Sequence, residues 1–381
     1  MIIGVNGHMV FPPDIPVSGI GVYSFNLLSA MAEQKWSEGF SDDFIIFSTR
    51  RGRLRWKHMP FMFSLSPLPT WKNIIRIFWE QCILPVHIYK KKISIFHSPA
   101  NVIPVFSNYP LHILTVHDLA FIHYPDMTGR IRCFYLKYLI RKSALKAHKI
   151  IAVSDSTRLD LIKFWNIDPG KIKVIYSGLE ERFTTCINPS AVEEYKRKKG
   201  LPERFILCTG DMEKRKNLIM LLQAFLILIR DFNVSVRLVI AGRPGNDYKN
   251  ILNFIERENL KKDVIFTGYV PSEDLPFLFA SATVFAYPSL YEGFGFPLLE
   301  AFACRTPVIA SSSSSIPEVA GNGALLLSPF EPVIWASSFR ELLSDREKRE
   351  DLVKRGLKRL PLFTWRNTAI ETMKVYKEYI R

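Results

Sequence analysis

Short apolar, β-branched runs recur along almost the whole chain, with a helix-length segment between most of them. Runs of this kind fall at 2–5, 44–47, 93–97, 112–116, 150–153 and 173–176, and again at 205–209, 237–241, 264–267, 284–287, 307–310 and 324–327. Strands alternating with helices build parallel α/β sheets covered on both faces. Two sets of about six strands predict two doubly wound domains. The joint is expected in the polar, charged stretch 177–202, which contains Asn188-Pro189-Ser190 and precedes a fresh strand. The expected division is 1–185, 186–362 and a C-terminal helix, 363–381, for which Thr364 is the expected cap.

The 381-residue chain is 48% hydrophobic, enough for sizeable cores. Its five cysteines stand far apart with no CxxC pair, which fits a reducing compartment without a disulfide framework. The first residues lack a basic n-region and a cleavage site, so no signal peptide is expected. The longest apolar run, 218–229, is too short to span a bilayer. The net charge of +15 is concentrated in residues 50–149, which hold 17 Lys or Arg against Glu80, Asp118 and Asp126. Aromatics such as Trp56, Phe61, Phe63, Trp71 and Trp79 are mixed into this stretch. Apolar residues at 131, 134, 135, 138, 139 and 145 trace one helical face among cations, a pattern suited to anionic lipid headgroups. No helix-turn-helix, RRM or zinc-finger pattern accompanies the charge, so nucleic acid is not the expected partner.

The densest functional signal is Glu292-Gly-Phe-Gly-Phe-Pro-Leu-Leu-Glu300. An apolar strand precedes it, and a helix opening with Pro297 follows. The two acids therefore sit on a strand–loop–helix junction at a carboxyl strand end, where open α/β sheets bind ligands. Gly293 and Gly295 let the backbone approach a ligand, and the helix start favours an anion. Glu292 is placed to accept sugar hydroxyl protons. Glu300, expected in the first helical turn, is placed for a ribose diol. A second junction is Thr209-Gly-Asp-Met-Glu-Lys-Arg-Lys-Asn217, where Arg215 and Lys216 are suited to clamp a diphosphate. His117-Asp118 directly follows a third strand, with Asp118 either orienting the imidazole or capping the next helix. Ser18-Gly19-Ile-Gly21 matches a dinucleotide turn poorly, with no third glycine at the required spacing.

These segments resemble the signature of the family-4 retaining glycosyltransferases of GT-B fold. The resemblance rests on their order: Gly-rich loop, HD, VSDS, G-x4-RKN, AGR, TGYV and EGFGFPLLE. It implies two Rossmann-like domains facing a cleft, the first holding the acceptor and the second the donor. It also implies roles for individual residues. Glu292 contacts the donor sugar, Glu300 the ribose, and Arg215 and Lys216 the diphosphate, while His117 faces the sugar from the first domain. Gly19 and Gly21, with Gly7 and His8 as weaker candidates, approach the donor phosphates or the acceptor. Gly210, Gly242, Tyr269, Gly293, Phe294 and Gly295 border the nucleotide. Asp211 stands where many members carry Arg, so one phosphate cation is absent or supplied by another residue.

The expected activity is transfer of a hexose from a nucleotide-diphosphate sugar, with GDP-mannose favoured, to a hydroxyl of a lipid-linked or oligosaccharide acceptor. The expected setting is cell-surface polysaccharide or lipopolysaccharide synthesis, in the cytoplasm and peripheral on the inner face of the membrane. No Asp-x-Asp motif occurs, so no metal and no cofactor are expected. Two alternatives stay open: a GT-B enzyme without a glycosyl acceptor, of nucleotide-sugar epimerase or phosphorylase type, and a catalytically silent nucleotide- or lipid-binding scaffold.

Overall fold

The computed structural model describes the chain except residues 13–18, 39–42, 57–58, 126–129, 185–187 and 380–381, and the side chains of 35–38, 73 and 130–135. Thirteen strands are described: β1 Ile2–Asn6, β2 Asp43–Thr49, β3 Met62–Ser66, β4 Ile95–Ser98, β5 Leu111–Val116, β6 Lys149–Ala152, β7 Ile172–Val174, β8 Phe205–Thr209, β9 Arg237–Ala241, β10 Val264–Gly268, β11 Val284–Tyr287, β12 Val308–Ser311 and β13 Ala324–Leu327. They form two parallel sheets, ordered β3-β2-β1-β4-β5-β6-β7 and β10-β9-β8-β11-β12-β13. All twelve expected strands are present, with ends shifted by a few residues. The one not foreseen is β3. It lies at a sheet edge and pairs only β2. Its residues Met62-Phe-Ser-Leu-Ser66 alternate in burial instead of forming a continuous apolar run, so they read as part of the basic, aromatic stretch.

The chain divides into two compact units, Met1–Gly178 with Phe363–Arg381, and Leu179–Leu362. The boundary falls at Gly178, ahead of the expected 185, for a packing reason. A Cβ on Gly178 would lie 2.1 Å from the backbone nitrogen of Trp365, so outgoing and returning chain are pressed together at that point. The helix Trp365–Lys377 is capped by Thr364, whose hydroxyl accepts from Asn367 N at 3.2 Å. It belongs to the first unit. There the Tyr376 hydroxyl meets His97 Nδ1 at 2.6 Å, and His97 Nε2 meets Thr115 Oγ1 at 2.8 Å. Burial holds His97 far below its usual range, at about 3, so this link is between neutral groups.

The basic stretch does not present its aromatics as one surface. Trp56, Phe61 and Trp79 are buried in the core, while Trp71 and Phe63 carry the guanidiniums of Arg51 and Arg53 at 5.6 and 5.3 Å. In the helix Arg130–Lys146 the buried side is Leu139, Ile140, Ser143 and Ala144, packed on the sheet, whereas Tyr138 and Leu145 are exposed. The expected apolar face is thus split, and its members 131, 134 and 135 have side chains outside the described residues. No helix among the described residues is long and apolar enough to cross a membrane. Cys82, Cys208 and Cys304 are free thiols.

Candidate active site

In an open parallel sheet, a crevice opens at the carboxyl ends of the two central strands whose connections run in opposite directions. In the second unit those strands are β8 and β11. The loop leaving β8 carries Gly210, Arg215 and Lys216, and the loop leaving β11 carries Glu292. Neighbouring strands therefore deliver to one place groups 76 positions apart in the chain.

The centre of this place is Glu292. Its Oε1 accepts from Lys216 Nζ and its Oε2 from Arg215 Nη1, both at 2.7 Å. Arg215 also donates from Nε to Glu213 Oε2 at 2.9 Å, which fixes the guanidinium plane. Burial alone would raise the Glu292 carboxyl, but Lys216 and then Arg215 outweigh it and hold the group down at about 2. Lys216 is itself buried. Its ammonium lies 5.3 Å from the centre of the Tyr287 ring and under Gly210, where a Cβ would sit 3.0 Å from the lysine Cε. Gly210 has φ +120°, so glycine is required there both for the backbone and for the lysine.

The 292–295 loop is tied down from the serine-rich segment 311–315. Ser314 Oγ accepts from Glu292 N at 2.8 Å, and Ser315 Oγ donates to the carbonyls of Glu292 and Phe294 at 2.8 and 2.9 Å. Hydroxyls three and four residues after β12 were the available signal. Gly295, at φ +107°, is the N-cap of the helix Phe296–Ala303. Pro297 is thus its second residue, and Glu300 opens the second turn, one position beyond the expected first turn. Phe294 is buried with its ring 5.1 Å from that of Phe296, so only its backbone is available to a ligand.

Burial pushes Glu300 up to about 8, Glu180 adds to the rise, and Arg182 and Lys216 oppose it. Glu180 and Arg182, themselves paired at 2.6 Å, lie in the stretch read as a joint and were missed. Because the folded pKa exceeds the ordinary value of 4.5, the native state holds an extra proton between pH 4.5 and 8. That contribution is complete below the lower value and is lost as pH rises through the upper one. Glu300→Gln is therefore expected to gain thermal stability over the parent as pH rises from about 5 to about 9. A difference in unfolding temperature that stays constant across this range would count against it.

Gly242 has a structural cause of its own: a Cβ there would lie 2.0 Å from the Gly210 carbonyl oxygen. Asp211, in the place of the expected cation, accepts from Arg243 N at 3.0 Å and lies 3.6 Å from Arg243 Nε. Arg243 in turn sits 5.2 Å over the exposed Tyr269 ring. A cation is thus present beside Asp211, supplied from the loop after the neighbouring strand β9.

The first-unit candidates lie apart from this cluster in the chain and are described by themselves. His117 follows β5. Its Nε2 donates to the Pro99 carbonyl at 2.8 Å, its backbone N donates to Asn101 Oδ1, and its ring meets Tyr23 edge-on at 4.7 Å. Burial lowers its pKa, against the opposing effects of the Pro99 hydrogen bond and the Asp118 charge. Asp118 caps the next helical turn through Ala120 N at 3.0 Å. Gly19 and Gly21 are not in a loop: they occupy the first turn of the helix Gly19–Glu38, and Ser18 lies outside the described residues. Gly7 and His8 are packed in the core, with His8 Nδ1 at 2.6 Å from Thr70 Oγ1 and a Cβ on Gly7 blocked by Ile46 at 2.8 Å.

Two family models match the chain: Glycosyltransferase Family 4 over residues 17–183 and Glycosyl transferases group 1 over 191–359. O-antigen chain mannosyltransferase B of Escherichia coli is 28% identical over 375 residues, covering 96% of this chain and 97% of that protein. O-antigen chain mannosyltransferase RfbU of Salmonella typhimurium is 30% identical over 241 residues, which is 63% of this chain and 62% of the relative. Among solved structures, Anabaena Alr3699/HepE in complex with UDP-glucose superposes with a TM-score of 0.76 at 16% identity, over 99% of this chain and 100% of that one. With the switch-point site in the second sheet and family matches spread over both units, the chain belongs to the group 1, family 4 glycosyltransferases and has the GT-B fold.

Proposed function

We propose that this glycosyltransferase is a retaining, metal-independent hexosyltransferase that takes its sugar from a nucleotide diphosphate, GDP-mannose being the favoured donor. The observation that carries the reading is the Lys216–Glu292–Arg215 cluster, with Lys216 buried, at the β8/β11 switch point. Two fixed cations are already in place where a leaving diphosphate develops charge, which is where preorganised positive groups lower a barrier most. In the free protein Glu292 holds them aimed. On donor binding the diphosphate oxygens share these donors, and the carboxylate turns to a sugar hydroxyl. Gly295 and the start of the helix Phe296–Ala303 supply backbone N–H groups to the same anion. Glu300 takes the ribose diol. Gly210, Gly242 and Gly293 leave room for backbone approach, and Arg243 and Tyr269 border the base. His117 spends its one ring N–H on the Pro99 carbonyl, which leaves Nδ1 to accept from a sugar hydroxyl. The leaving phosphate accepts the acceptor proton on the same face, so no side chain is assigned as base.

Two mannosyltransferases of O-antigen chains among the relatives support mannose as the sugar and a surface polysaccharide or lipopolysaccharide as the product. Purified protein is expected to unfold at higher temperature with GDP or GDP-mannose than with other nucleotides, through mass action, and to transfer mannose with retained anomeric configuration. Stabilisation by another nucleotide alone would remove the donor assignment, and an inverted product would remove the mechanism.

The acceptor is read as lipid-linked, with the protein peripheral on an anionic, cytoplasm-facing membrane surface. Support comes from the first unit, where Ile74, Phe78, Tyr89, Phe106 and Tyr109 are exposed among Lys72, Lys90, Lys91 and Lys92. Tyr89 and Tyr109 meet at 5.9 Å, and Gln81 ties the loop before Tyr109 to the same helical segment through Ile103 O and Val105 N. Flotation with vesicles containing anionic lipid, and not with neutral ones, is the expected result. Failure to float at low salt would point to a soluble acceptor.

A further inference from the structure

The second unit has another concave site, on the opposite edge of its sheet from Glu292. A cavity of about 540 Å³ opens where the chain enters β11 and β12, between Thr283, Pro307 and one face of the helix Arg346–Leu357. That volume is in the range of small-molecule pockets. Glu292 follows the carboxyl end of β11, whereas Thr283 precedes its amino end, so the four-residue strand separates the two sites by about 13 Å of backbone.

The lining is strongly one-signed. Arg305, Arg346, Arg349 and Lys354 face the cavity, and Glu350 is the sole carboxylate among the described residues that line it. Glu350 is paired to Arg346 at 2.7 Å, which neutralises one cation of the four. Arg349 is held in place by donating from Nη1 to the carbonyls of Leu342 and Leu343. The floor, Pro307, Val353 and Leu357, is apolar.

A second observation concerns Arg305. It follows the C-cap of the helix Phe296–Ala303 and has φ +58°, the left-handed conformation that glycine adopts freely at this position and arginine does not. Five of the eight non-glycine residues with positive φ among those described are asparagines, the residue type that tolerates it best; Arg305 is one of three exceptions. A side chain kept where the backbone favours its absence is accounted for by what the side chain reaches. Here it reaches a cationic cavity.

We propose that this cavity is a second anion site that binds a phosphate ester, with the phosphate held by Arg305 and Lys354 beside the fixed guanidinium of Arg349 and the organic part resting on Pro307, Val353 and Leu357. Charged-group geometry favours this class: arginine forks match phosphate oxygens in pairs, and lysine adds a point charge. The ester is carried either by a soluble metabolite or by a lipid headgroup, which share this chemistry.

The test compares the full-length parent, Lys216→Ala, Arg305→Gly and the double variant Arg305→Gly/Lys354→Gln. Inorganic phosphate is the first probe, followed by thermal shift and calorimetry. Phosphate is expected to bind parent and Lys216→Ala with equal affinity and the double variant at least about tenfold more weakly, since charge-assisted contacts are lost. Arg305→Gly removes the left-handed arginine, so its unfolding temperature without phosphate is expected to equal or exceed that of the parent. This variant alone decides the matter should the double variant fold poorly. Equal phosphate affinity in parent and variants would overturn the proposal, as would loss of binding in Lys216→Ala, which would put the anion on the donor cations. Vesicles of phosphatidylcholine with and without phosphatidic acid are the second probe. Weaker pelleting of the double variant with phosphatidic acid identifies a headgroup; unchanged pelleting with lost phosphate binding identifies a soluble ester. Glycosyl transfer in detergent by the double variant is expected to match the parent, so failure of this site and failure of the transferase reading are distinguishable.

Discussion

Replacing Lys216 with alanine is expected to lower kcat/KM for sugar transfer by about a hundred- to a thousandfold, the usual effect of removing one preorganised group from a developing anion. The size follows from how confined this ammonium is. It is buried, lies against Tyr287, is bonded to Glu292 at 2.7 Å and has Gly210 pressed over its stem. The substitution has a second consequence. Lys216 is the larger of the two charges that hold Glu292 down, so in the variant this carboxyl rises toward its ordinary range, with Arg215 as its remaining partner. A stability loss at the lower end of the cost of breaking a buried pair, about 3 kcal/mol, is expected alongside. Turnover is therefore measured well below the unfolding temperature, with circular dichroism as the control for folding. Transfer within about threefold of the parent in a folded variant would remove the diphosphate clamp.

Gly242→Ala is expected to produce a large stability loss in the second unit. The new methyl would stand 2.0 Å from the Gly210 carbonyl oxygen and 2.5 Å from its carbonyl carbon. Both are backbone atoms, so no rotamer change relieves the clash. β8 and β9 are held by their ladder up to Thr209 and Ala241, and Gly210 N donates to Ala241 O at 2.8 Å just beyond it. The loops after both strands must therefore separate. A cost at or above the top of the overpacking range, about 3 kcal/mol, is expected. For a unit of this size it corresponds to a fall of about 8 °C in unfolding temperature. Because Gly210 covers Lys216, nucleotide-dependent stabilisation is expected to fall in the same variant. A calorimetric unfolding temperature within about 1 °C of the parent would show that the two loops have more room than these distances imply.

The strands were readable because parallel strands buried on both faces are written as continuous apolar runs, and the runs at 205–209 and 284–287 match β8 and β11 residue for residue. The alternating edge strand β3 escaped for the same reason in reverse. Position in the chain marked Arg215, Lys216 and Glu292 as site candidates, because a charged loop after an apolar run belongs at a carboxyl strand edge, and Glu300 as the acid expected in the helical turn beyond it; the family resemblance gave each its role. Local pattern was a poorer guide to which turn of a helix holds a residue, as Gly19, Gly21 and Glu300 show. It assigned no site role to Ser314, Ser315, Glu180 and Arg182, which act on Glu292 and Glu300 from other segments of the chain.

Chemistry available at each loop, and the α/β character of both halves, were thus properties of short stretches of chain, because burial period and turn residues act over a few positions. Pairing was a different matter. Side-by-side placement of β8 and β11, the Glu292 carboxylate locked between two cations, the arginine supplied beside Asp211 from another loop and the cationic cavity at the opposite sheet edge all depend on which distant segments become neighbours. That choice is made by packing whole layers together, and interactions across 76 residues leave no trace in the spacing of either partner.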